Sequence, residues 1–348
     1  MRTLAKTLVI LAGLSLAAGA DAQSARIRLL ATGGTIAGAQ AKPGEYGYKS
    51  GTFNVQDLIS AVPNLDKLAV ITGEQVVNIG SQDMNDEVWL KLAGRLNAAL
   101  SSPDVDGVVI THGTDTLEET AYFLNLVTHS DKPVVMVGSM RPATAVSADG
   151  PGNLYNAVAV ATSPGARGRG VLVELNDEIN YARNIQKTNT SSVQTFSSVN
   201  RGPAGLVNTG KVTWFQPMDK KSGGFSVDGL TKLPRVDILY AYPNMSVDLI
   251  DAAVRGGAQG LVIAGVGDGN MTQPALDRLA QIAKSGVVVV RSSRVGSGIV
   301  YRNNEVNDDQ LGLVASGELS PGKSRVLLQL ALTKTKDPVA IQQMFNEY

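Results

Sequence analysis

Short apolar runs alternate along the chain with amphipathic stretches, and this alternation is the first indication of the fold. IRLLAT (27–32), DGVVIT (106–111) and GVLVEL (170–175) have the length of strands and are apolar at nearly every position. MNDEVWLKLAGRLNAAL (84–100) and TLEETAYFLNLVT (116–128) instead repeat apolar residues every three or four positions, which is typical of helices. Strands that are apolar on both sides and alternate with helices predict an α/β fold with a parallel sheet covered on both faces.

Residues 211–234 interrupt this alternation and divide the chain. The stretch KVTWFQPMDKKSGGFSVDGLTKLP is polar and rich in Lys, Gly and Pro, so we predict a linker there. A second series of alternating strands and helices begins at about residue 235. We therefore expect a larger N-terminal α/β domain at 23–210, with a mostly parallel sheet and helices on both faces. A smaller, flavodoxin-like α/β domain is expected at 235–348.

The N-terminus has the pattern of a secretory signal peptide. Arg2 and Lys6 precede an apolar run that extends from Leu8 to Ala18, and an A-x-A cleavage pattern follows at residues 20–22. The apolar run is too short to span a bilayer. The sequence therefore predicts a protein that is exported to the periplasm, or secreted, after removal of residues 1–22.

The composition excludes several kinds of chemistry. The 348 residues include 31 basic and 31 acidic side chains, so net charge gives no reason to expect nucleic acid or an anionic membrane as a partner. The chain has no cysteine, which excludes disulfides, thiol catalysis and cysteine-bound metals. With His112 and His129 as its two histidines, a multi-histidine metal site is excluded as well. We expect neither a metal nor a cofactor.

Two predicted strands end in the same phrase, Thr-x-Gly-Thr. The first copy occupies residues 32–35 and the second occupies residues 111–114. In parallel sheets, ligands bind at the carboxyl ends of strands, near the point where the strand order reverses. Glycine lets backbone N–H groups approach such a ligand, and each phrase also supplies a hydroxyl group. We therefore predict that Thr35 and Thr114 face one pocket.

A threonine hydroxyl is a weak nucleophile unless a base or a cation activates it. Asp115 follows Thr114 directly, and Lys187 lies in the polar stretch QKTNTSS (186–192). A buried lysine there could bond a hydroxyl and act as a base if its pKa were lowered. Tyr46 and Tyr48 lie in a glycine-rich stretch (39–51) of the kind that closes over a pocket as a lid.

Each of these motifs, taken alone, also fits an ordinary structural role. Asp115 could cap the following helix, with Glu118 at the third helical position. The Gly33-Gly34 pair fits a simple strand-to-helix turn, and Lys187 fits a solvated surface lysine. His112 fits a packed, hydrogen-bonded histidine, and we assign it no catalytic role. The residues alone leave these alternatives open.

A resemblance to a known family decides between them. ATGGTIAG (31–38) and THGTDTLEET (111–120) resemble the two signature segments of bacterial L-asparaginases. Further segments match that family in order and spacing: GSQDMND (80–86), KPVVMVGSMRP (132–142), SADGPGNLYNA (147–157), KTNT (187–190) and VVRSSRVGSG (289–298). The resemblance covers the whole chain after the signal peptide. It places the chain with the exported, type II branch, which includes the glutaminase-asparaginases.

The resemblance implies a role for each candidate residue. Thr35 matches the nucleophile, which attacks the side-chain amide carbon and forms an acyl-enzyme. Tyr48 matches the lid tyrosine beside that nucleophile. Thr114 is implied to orient the attacking water, and Lys187 to tune the Thr114 hydroxyl. Asp115 is implied to hold the ammonium group of the substrate.

Four more residues are implied to bind substrate. Ser81 and Gln82 match residues that grip the α-carboxylate and α-amino groups of the amino acid. Asn270 and Glu305 match residues that reach the active site of a neighbouring subunit, which implies a homotetramer built from two intimate dimers. The implied substrates are L-asparagine and L-glutamine, with no metal or cofactor. An exported binding protein for amino acids is the alternative, and it would give no reason for the threonine, aspartate and lysine set.

Overall fold

The structure, a computed structural model, describes residues 24–42, 44, 47–218 and 222–348. The predicted signal peptide and Tyr46 lie outside the described residues. The strands of the N-terminal domain are β1 (Arg26–Gly33), β2 (Val70–Ile79), β3 (Gly107–Thr111), β4 (Val134–Val137), β5 (Val171–Leu175), β6 (Glu178–Tyr181), β7 (Gln186–Lys187), β8 (Phe196–Ser197), β9 (Gly205–Asn208) and β10 (Lys211–Trp214). Its helices are α1 (Val55–Ser60), α2 (Asp86–Ser101), α3 (Leu117–Val127) and α4 (Gly150–Thr162).

Eight of these strands form one sheet in the order β10-β9-β6-β5-β4-β3-β1-β2. Strands β1 to β5 run parallel to one another, and β6, β9 and β10 extend the sheet antiparallel. The strand order reverses at β1, because the chain passes from β1 to β2 on one side and then to β3 on the other side. The carboxyl ends of β1 and β3 are therefore the place where a ligand is expected.

Alternate residues of the central strands serve two separate layers of core. Val108 and Ile110 of β3 pack with α2 and α3 on one face, whereas Val109 packs with α1 and α4 on the other. Every residue of β3, β4 and β5 is buried. This burial explains the continuous apolar runs of these strands, because a doubly covered strand has no solvated face.

The C-terminal domain contains a smaller sheet of four parallel strands in the order β11-β12-β13-β14. These strands are β11 (Val236–Tyr240), β12 (Gly260–Gly265), β13 (Val288–Ser293) and β14 (Val314–Ala315), and the helices are α5 (Asp248–Arg255), α6 (Gln273–Lys284), α7 (Asp308–Leu311), α8 (Pro321–Ala331) and α9 (Pro338–Glu347). The two sheets confirm the predicted α/β class, with a larger, mostly parallel N-terminal sheet and a smaller C-terminal one.

Helix α8 joins the cores of the two domains. It packs against α3 of the N-terminal domain on one side and against β11 and β12 on the other. The apolar side chains of α3, such as Tyr122 and Phe123, therefore belong to the same buried cluster as Leu327 and Leu328 of α8. The start of α8 consequently lies next to the start of α3, which follows Thr114 directly.

The predicted linker begins too early. Residues 211–214, which we assigned to it, form β10 and pair with β9, from Lys211 opposite Asn208 to Trp214 opposite Gly205. The alternating exposed and half-buried positions of β10 are those of an edge strand, and such a strand resembles a polar loop in sequence. Trp214 also packs under the Arg169 guanidinium, 4.0 Å from its ring centroid, which ties the strand to the domain.

Within the residues that the structure describes, no helix is long and apolar enough to cross a membrane.

Candidate active site

The two Thr-x-Gly-Thr phrases lie side by side at the carboxyl edge of the large sheet. Ala31 of β1 is paired with Thr111 of β3, so the residues that follow leave the sheet together. A Cβ atom added to Gly34 would lie 2.3 Å from the backbone nitrogen of Gly113, and Gly34 has a φ of +82°. Only glycine fits such an approach, which explains why both phrases contain one at this point.

Thr35 lies at the start of a short 3-10 helix, Thr35–Ala37, directly after this contact. Its side chain is buried, and its Oγ1 lies 2.7 Å from the hydroxyl of Tyr48. Tyr48 is half exposed and comes from the predicted lid stretch, whose base is fixed by an antiparallel bridge between Ala39 and Lys49. The first threonine therefore has a hydroxyl partner from a loop at the surface.

Thr114 has a different partner. The Nζ of Lys187 donates to Thr114 Oγ1 at 3.0 Å and to a carboxylate oxygen of Asp115 at 2.6 Å. The side chain of Lys187 is 18% exposed, whereas that of Asp115 is 61% exposed. The alternative of a solvated surface lysine is therefore wrong, because the ammonium group is mostly covered and holds both residues.

The alternative role of Asp115 as a helix cap is also wrong. The N-cap of α3 is Thr116, and its side chain makes no capping bond to the helix. The Thr116 hydroxyl donates instead to the backbone carbonyl of Ser81 at 2.8 Å. The carboxylate of Asp115 is thus directed at Lys187 and at solvent rather than at the first turn of the helix.

A cavity of about 510 Å³ brings the five predicted catalytic residues together. It is lined by Thr35, Gln40, Gly47, Tyr48, Thr114, Asp115, Met140, Arg141, Pro142, Ala145, Ser147, Lys187, Thr190 and Ser191. Its exposed side is bounded by the lid stretch and by a loop after β4. The cavity is large enough for an amino acid of the size of asparagine or glutamine.

The loop after β4 supplies lining residues that we did not predict as site residues. The amides of Met140 and Arg141 both donate to the Asp149 carboxylate at 2.9 Å, and the Arg141 guanidinium donates to the Ser147 carbonyl at 2.9 Å. A signal for this loop was present, because β4 is the next parallel strand after β3 and its carboxyl end must lie at the same edge.

Ser81 and Gln82 do not belong to the described lining of the cavity. Ser81 is buried beneath it, where its Oγ accepts the backbone N–H of Asp115 at 3.1 Å. Gln82 is exposed and lies in the short 3-10 helix Ser81–Asp83. The contact shown for Ser81 is thus with the loop that carries Thr114 and Asp115, and its predicted contact with substrate stays a prediction.

Asn270 and Glu305 lie in the C-terminal domain and bond each other, with the amide nitrogen of Asn270 2.5 Å from a carboxylate oxygen of Glu305. Neither residue belongs to the lining of the cavity that contains Thr35. Within one subunit the structure therefore does not bring them to the threonines, and their role at a neighbouring subunit stays a prediction.

His112, which precedes Gly113 and Thr114 in the second phrase, is packed inside the protein. Its Nδ1 lies 2.7 Å from the carbonyl oxygen of Gly113. Burial lowers the pKa of His112 to about 4, with a partial offset from that hydrogen bond, so the ring is neutral at physiological pH. Among the described residues, no group of three or more His, Asp or Glu side chains is arranged to hold a metal ion.

Comparison with known proteins identifies the family. The family model for the N-terminal asparaginase domain matches residues 26–220, and the model for the glutaminase/asparaginase C-terminal domain matches residues 235–345. The chain is 53% identical over 339 residues to the probable periplasmic L-asparaginase of Haemophilus influenzae, with 97% of this chain and 96% of that one covered. It is 46% identical over 329 residues to the glutaminase-asparaginase of Pseudomonas fluorescens biotype A, with 93% and 91% covered.

A solved structure has the same architecture. The crystal structure of a probable cytoplasmic L-asparaginase from Campylobacter jejuni superposes with a TM-score of 0.90 at 47% sequence identity, and covers 93% of this chain and 100% of that chain. The sequence matches and the shared architecture both extend over the two domains. The chain therefore belongs to the asparaginase family.

Proposed function

We propose that the protein hydrolyses the side-chain amide of L-asparagine to L-aspartate and ammonia, and that of L-glutamine to L-glutamate and ammonia. The observation that carries the proposal is the pair of threonine hydroxyls in one cavity, one bonded to Tyr48 and the other to Lys187. The names of the relatives support it, since they include an L-asparaginase 2 of Escherichia coli, 52% identical to this chain, and glutaminase-asparaginases.

In the first step, Thr35 Oγ1 attacks the amide carbon of the substrate and forms an ester. The Thr35 proton passes to the Tyr48 hydroxyl, which in turn donates its own proton to the leaving nitrogen, so that ammonia departs. The hydrogen bond of 2.7 Å between the two hydroxyls supports this relay. The negative charge on the carbonyl oxygen needs preorganised N–H donors, and we propose that backbone amides of the glycine-bordered strand ends supply them.

In the second step, a water molecule held by Thr114 attacks the ester carbon. Lys187 fixes the Thr114 hydroxyl from the opposite side, at 3.0 Å. The ester bond breaks, the acid product leaves, and the water proton returns to Thr35. The two threonines thus serve different halves of one reaction, which explains why the chain carries the same phrase twice.

Substrate recognition needs one group for each charge of the amino acid. We propose that Asp115, whose side chain is more than half exposed and lines the cavity, binds the substrate ammonium. Ser81 and Gln82 are proposed to contact the α-carboxylate and α-amino groups.

We also propose a homotetramer in which Asn270 and Glu305 of each subunit reach the cavity of its neighbour. Light scattering of the purified protein tests that assembly.

Asparagine and glutamine differ by one methylene, which is worth about 1–3 kcal/mol of discrimination in a pocket. We therefore expect both amides to be hydrolysed, with a rate ratio set by the lid stretch.

Export to the periplasm is proposed from the N-terminal signal and from the periplasmic relative, and fractionation of expressing cells tests it.

The direct test is ammonia release from L-asparagine and L-glutamine by the protein without residues 1–22. Thr35→Ala should release no ammonia, and the control Thr72→Ala, on an exposed position of β2, should match the wild type. If the wild type binds both amino acids and releases no ammonia, the protein is a binding protein and the proposal is wrong.

A further inference from the structure

Lys323 is a buried lysine that the proposed reaction does not use. It lies in the first turn of α8, in the C-terminal domain, and it is 1% exposed. Burial lowers the pKa of Lys323 to about 8, with a partial offset from the carboxylates of Glu118 and Glu119 and a further lowering by Arg183. A lysine is costly to bury, so its position calls for specific partners.

Its partners are two backbone carbonyls of the N-terminal domain. The Nζ of Lys323 donates to the carbonyl of Arg183 at 3.0 Å and to the carbonyl of Ile185. Ile185 is fully buried and lies two residues before Lys187. A side chain of the C-terminal domain therefore holds the backbone that carries the ammonium group of the site.

Glu118 of α3 holds the same backbone segment. One carboxylate oxygen of Glu118 accepts the backbone N–H of Lys187 at 2.6 Å, and the other lies 3.4 Å from the hydroxyl of Ser320. Gly322 of α8 packs so closely on Glu119 that an added Cβ atom would lie 3.0 Å from its carboxyl carbon. We call Glu118, Ser320 and Lys323 the interdomain clamp.

We propose that the interdomain clamp positions Lys187 for catalysis, with Lys323 as its main positioning residue. This inference rests on the proposed function of Thr114 and Lys187. Lys187 reaches Thr114 and Asp115 only if the residues before it keep their place against α3. A displacement of about 1 Å at a reacting group is enough to cost a large factor in rate.

The test uses Lys323→Met in the full mature protein, with kcat and KM measured for ammonia release from L-asparagine per folded molecule. We expect kcat to fall about tenfold or more, with KM changed by less than about twofold, since the lysine touches no substrate. The matched control is Lys334→Met, which removes another lysine of the C-terminal domain that donates to a backbone carbonyl, that of Gly224, away from the site. The control should keep the wild-type kcat.

A double-mutant cycle separates positioning from general support of the fold. In a Lys187→Met background, Lys323→Met should cause almost no further loss, because the group it positions is gone. Equal losses in both backgrounds, or an unchanged kcat in the single variant, would overturn the inference and leave the proposed function intact. A wild type that releases no ammonia would instead overturn the proposed function itself.

Glu118→Ala serves as a second variant if Lys323→Met does not fold. Glu118 is only partly buried, and its carboxylate is the clamp's direct contact to the Lys187 backbone. The same non-additivity with Lys187→Met is expected, and additive losses would overturn the clamp.

Discussion

The two Thr-x-Gly-Thr loops start from nearly identical sequences and end with different surroundings. The first places Thr35 against Tyr48, a half-exposed residue only 13 positions away in the lid stretch. The second places Thr114 against Lys187, which is 73 positions away and is held by both domains. The strand ends and glycines explain why the loops meet, but the side chains that join them from elsewhere decide what each threonine can do.

This contrast suggests a division of labour. A tyrosine on a surface loop can move with its loop when substrate enters the cavity and when ammonia leaves it. A lysine fixed by the interdomain contact suits a step that needs constant geometry. Substitutions around each threonine test whether the two loops are as different in function as they are in structure.

The largest effect is expected at Thr35. Thr35→Val is nearly the same shape but removes the hydroxyl, so kcat for L-asparagine should fall on the order of 10³-fold or more. Thermal unfolding should stay close to that of the wild type, because the side chain is buried and its volume is kept. Retention of appreciable turnover by this variant would remove the basis for distinguishing the two loops.

Lys187→Met is expected to have the next largest effect. It removes the donor to Thr114 and to Asp115, and proton-handling groups contribute typically 10²–10⁴-fold. We expect kcat to fall on the order of 10²-fold. Lys132→Met, which also removes a lysine bound to a backbone carbonyl, is the control and should leave kcat unchanged. Equal activity of the two variants would contradict the assigned role.

A substitution that keeps both threonines and their hydroxyl groups should have a smaller effect. In Gly38→Ala the added Cβ atom would lie 2.8 Å from the Cδ2 atom of the Tyr48 ring and 3.0 Å from the Thr35 carbonyl oxygen, so the contact between Tyr48 and Thr35 must be disturbed. We expect about a tenfold loss of kcat. Gly94→Ala, in the middle of α2 with open space around the position, should keep full activity and gain roughly 0.5–1 kcal/mol of stability. Equal rates of ammonia release by Gly38→Ala and Gly94→Ala would show that the placement of Tyr48 beside Thr35 does not matter for turnover.

A separate effect, on stability rather than on rate, is expected at Glu174, near the end of β5. Its carboxyl group is fully buried and, within the described residues, neither oxygen has a hydrogen-bond partner. Burial raises the pKa of Glu174 well above its ordinary value, and the charges of Asp177 and Asp149 raise it further, with a partial offset from the nearby Asp177 backbone amide and Asn156 side chain. The folded state thus keeps a proton that the unfolded state releases, and the free energy of unfolding falls as pH rises above the ordinary value of 4.5.

Glu174→Gln should remove that pH dependence. Denaturant unfolding should be measured between about pH 5 and pH 8. As the pH rises, the free energy of unfolding of the variant should increase relative to that of the wild type, by up to about 1.4 kcal/mol per pH unit. The exposed control Glu87→Gln should follow the wild type. Parallel pH curves for the wild type and Glu174→Gln would show that the carboxyl group is ionised in the folded protein.

Much of this site was predictable from local patterns. The apolar runs predicted the parallel strands, and the rule for strand ends predicted that Thr35 and Thr114 would meet. The partnership of Lys187 with Thr114 was proposed from chemistry and resemblance, because no local pattern links residues so far apart. Arg141 and its neighbours were missed although β4 ends at the same edge of the sheet, because the path of the loop after β4 depends on the contacts of its amides with the Asp149 carboxylate.

The errors have equally physical causes. The predicted linker took in β10, because an edge strand has one solvated face and its polar residues resemble those of a loop. The position of Asp115 before α3 indicated a helix cap, but its carboxylate bonds the ammonium group of Lys187 instead. A hydrogen bond between two charged groups is stronger than one from a neutral helix amide. The interdomain clamp was out of reach from sequence, because it joins α3, the segment before Lys187 and α8.

The most direct test of the central claim, that the two threonines serve separate steps, is mass spectrometry of the enzyme quenched during turnover. Thr114→Val should accumulate a covalent aspartyl adduct from L-asparagine on the peptide that contains Thr35, because acylation proceeds and the attack of water is slowed. Thr35→Ala should show no adduct. An adduct on the peptide that contains Thr114 in the Thr35→Ala protein, or no adduct in Thr114→Val while ammonia is still released, would contradict the account.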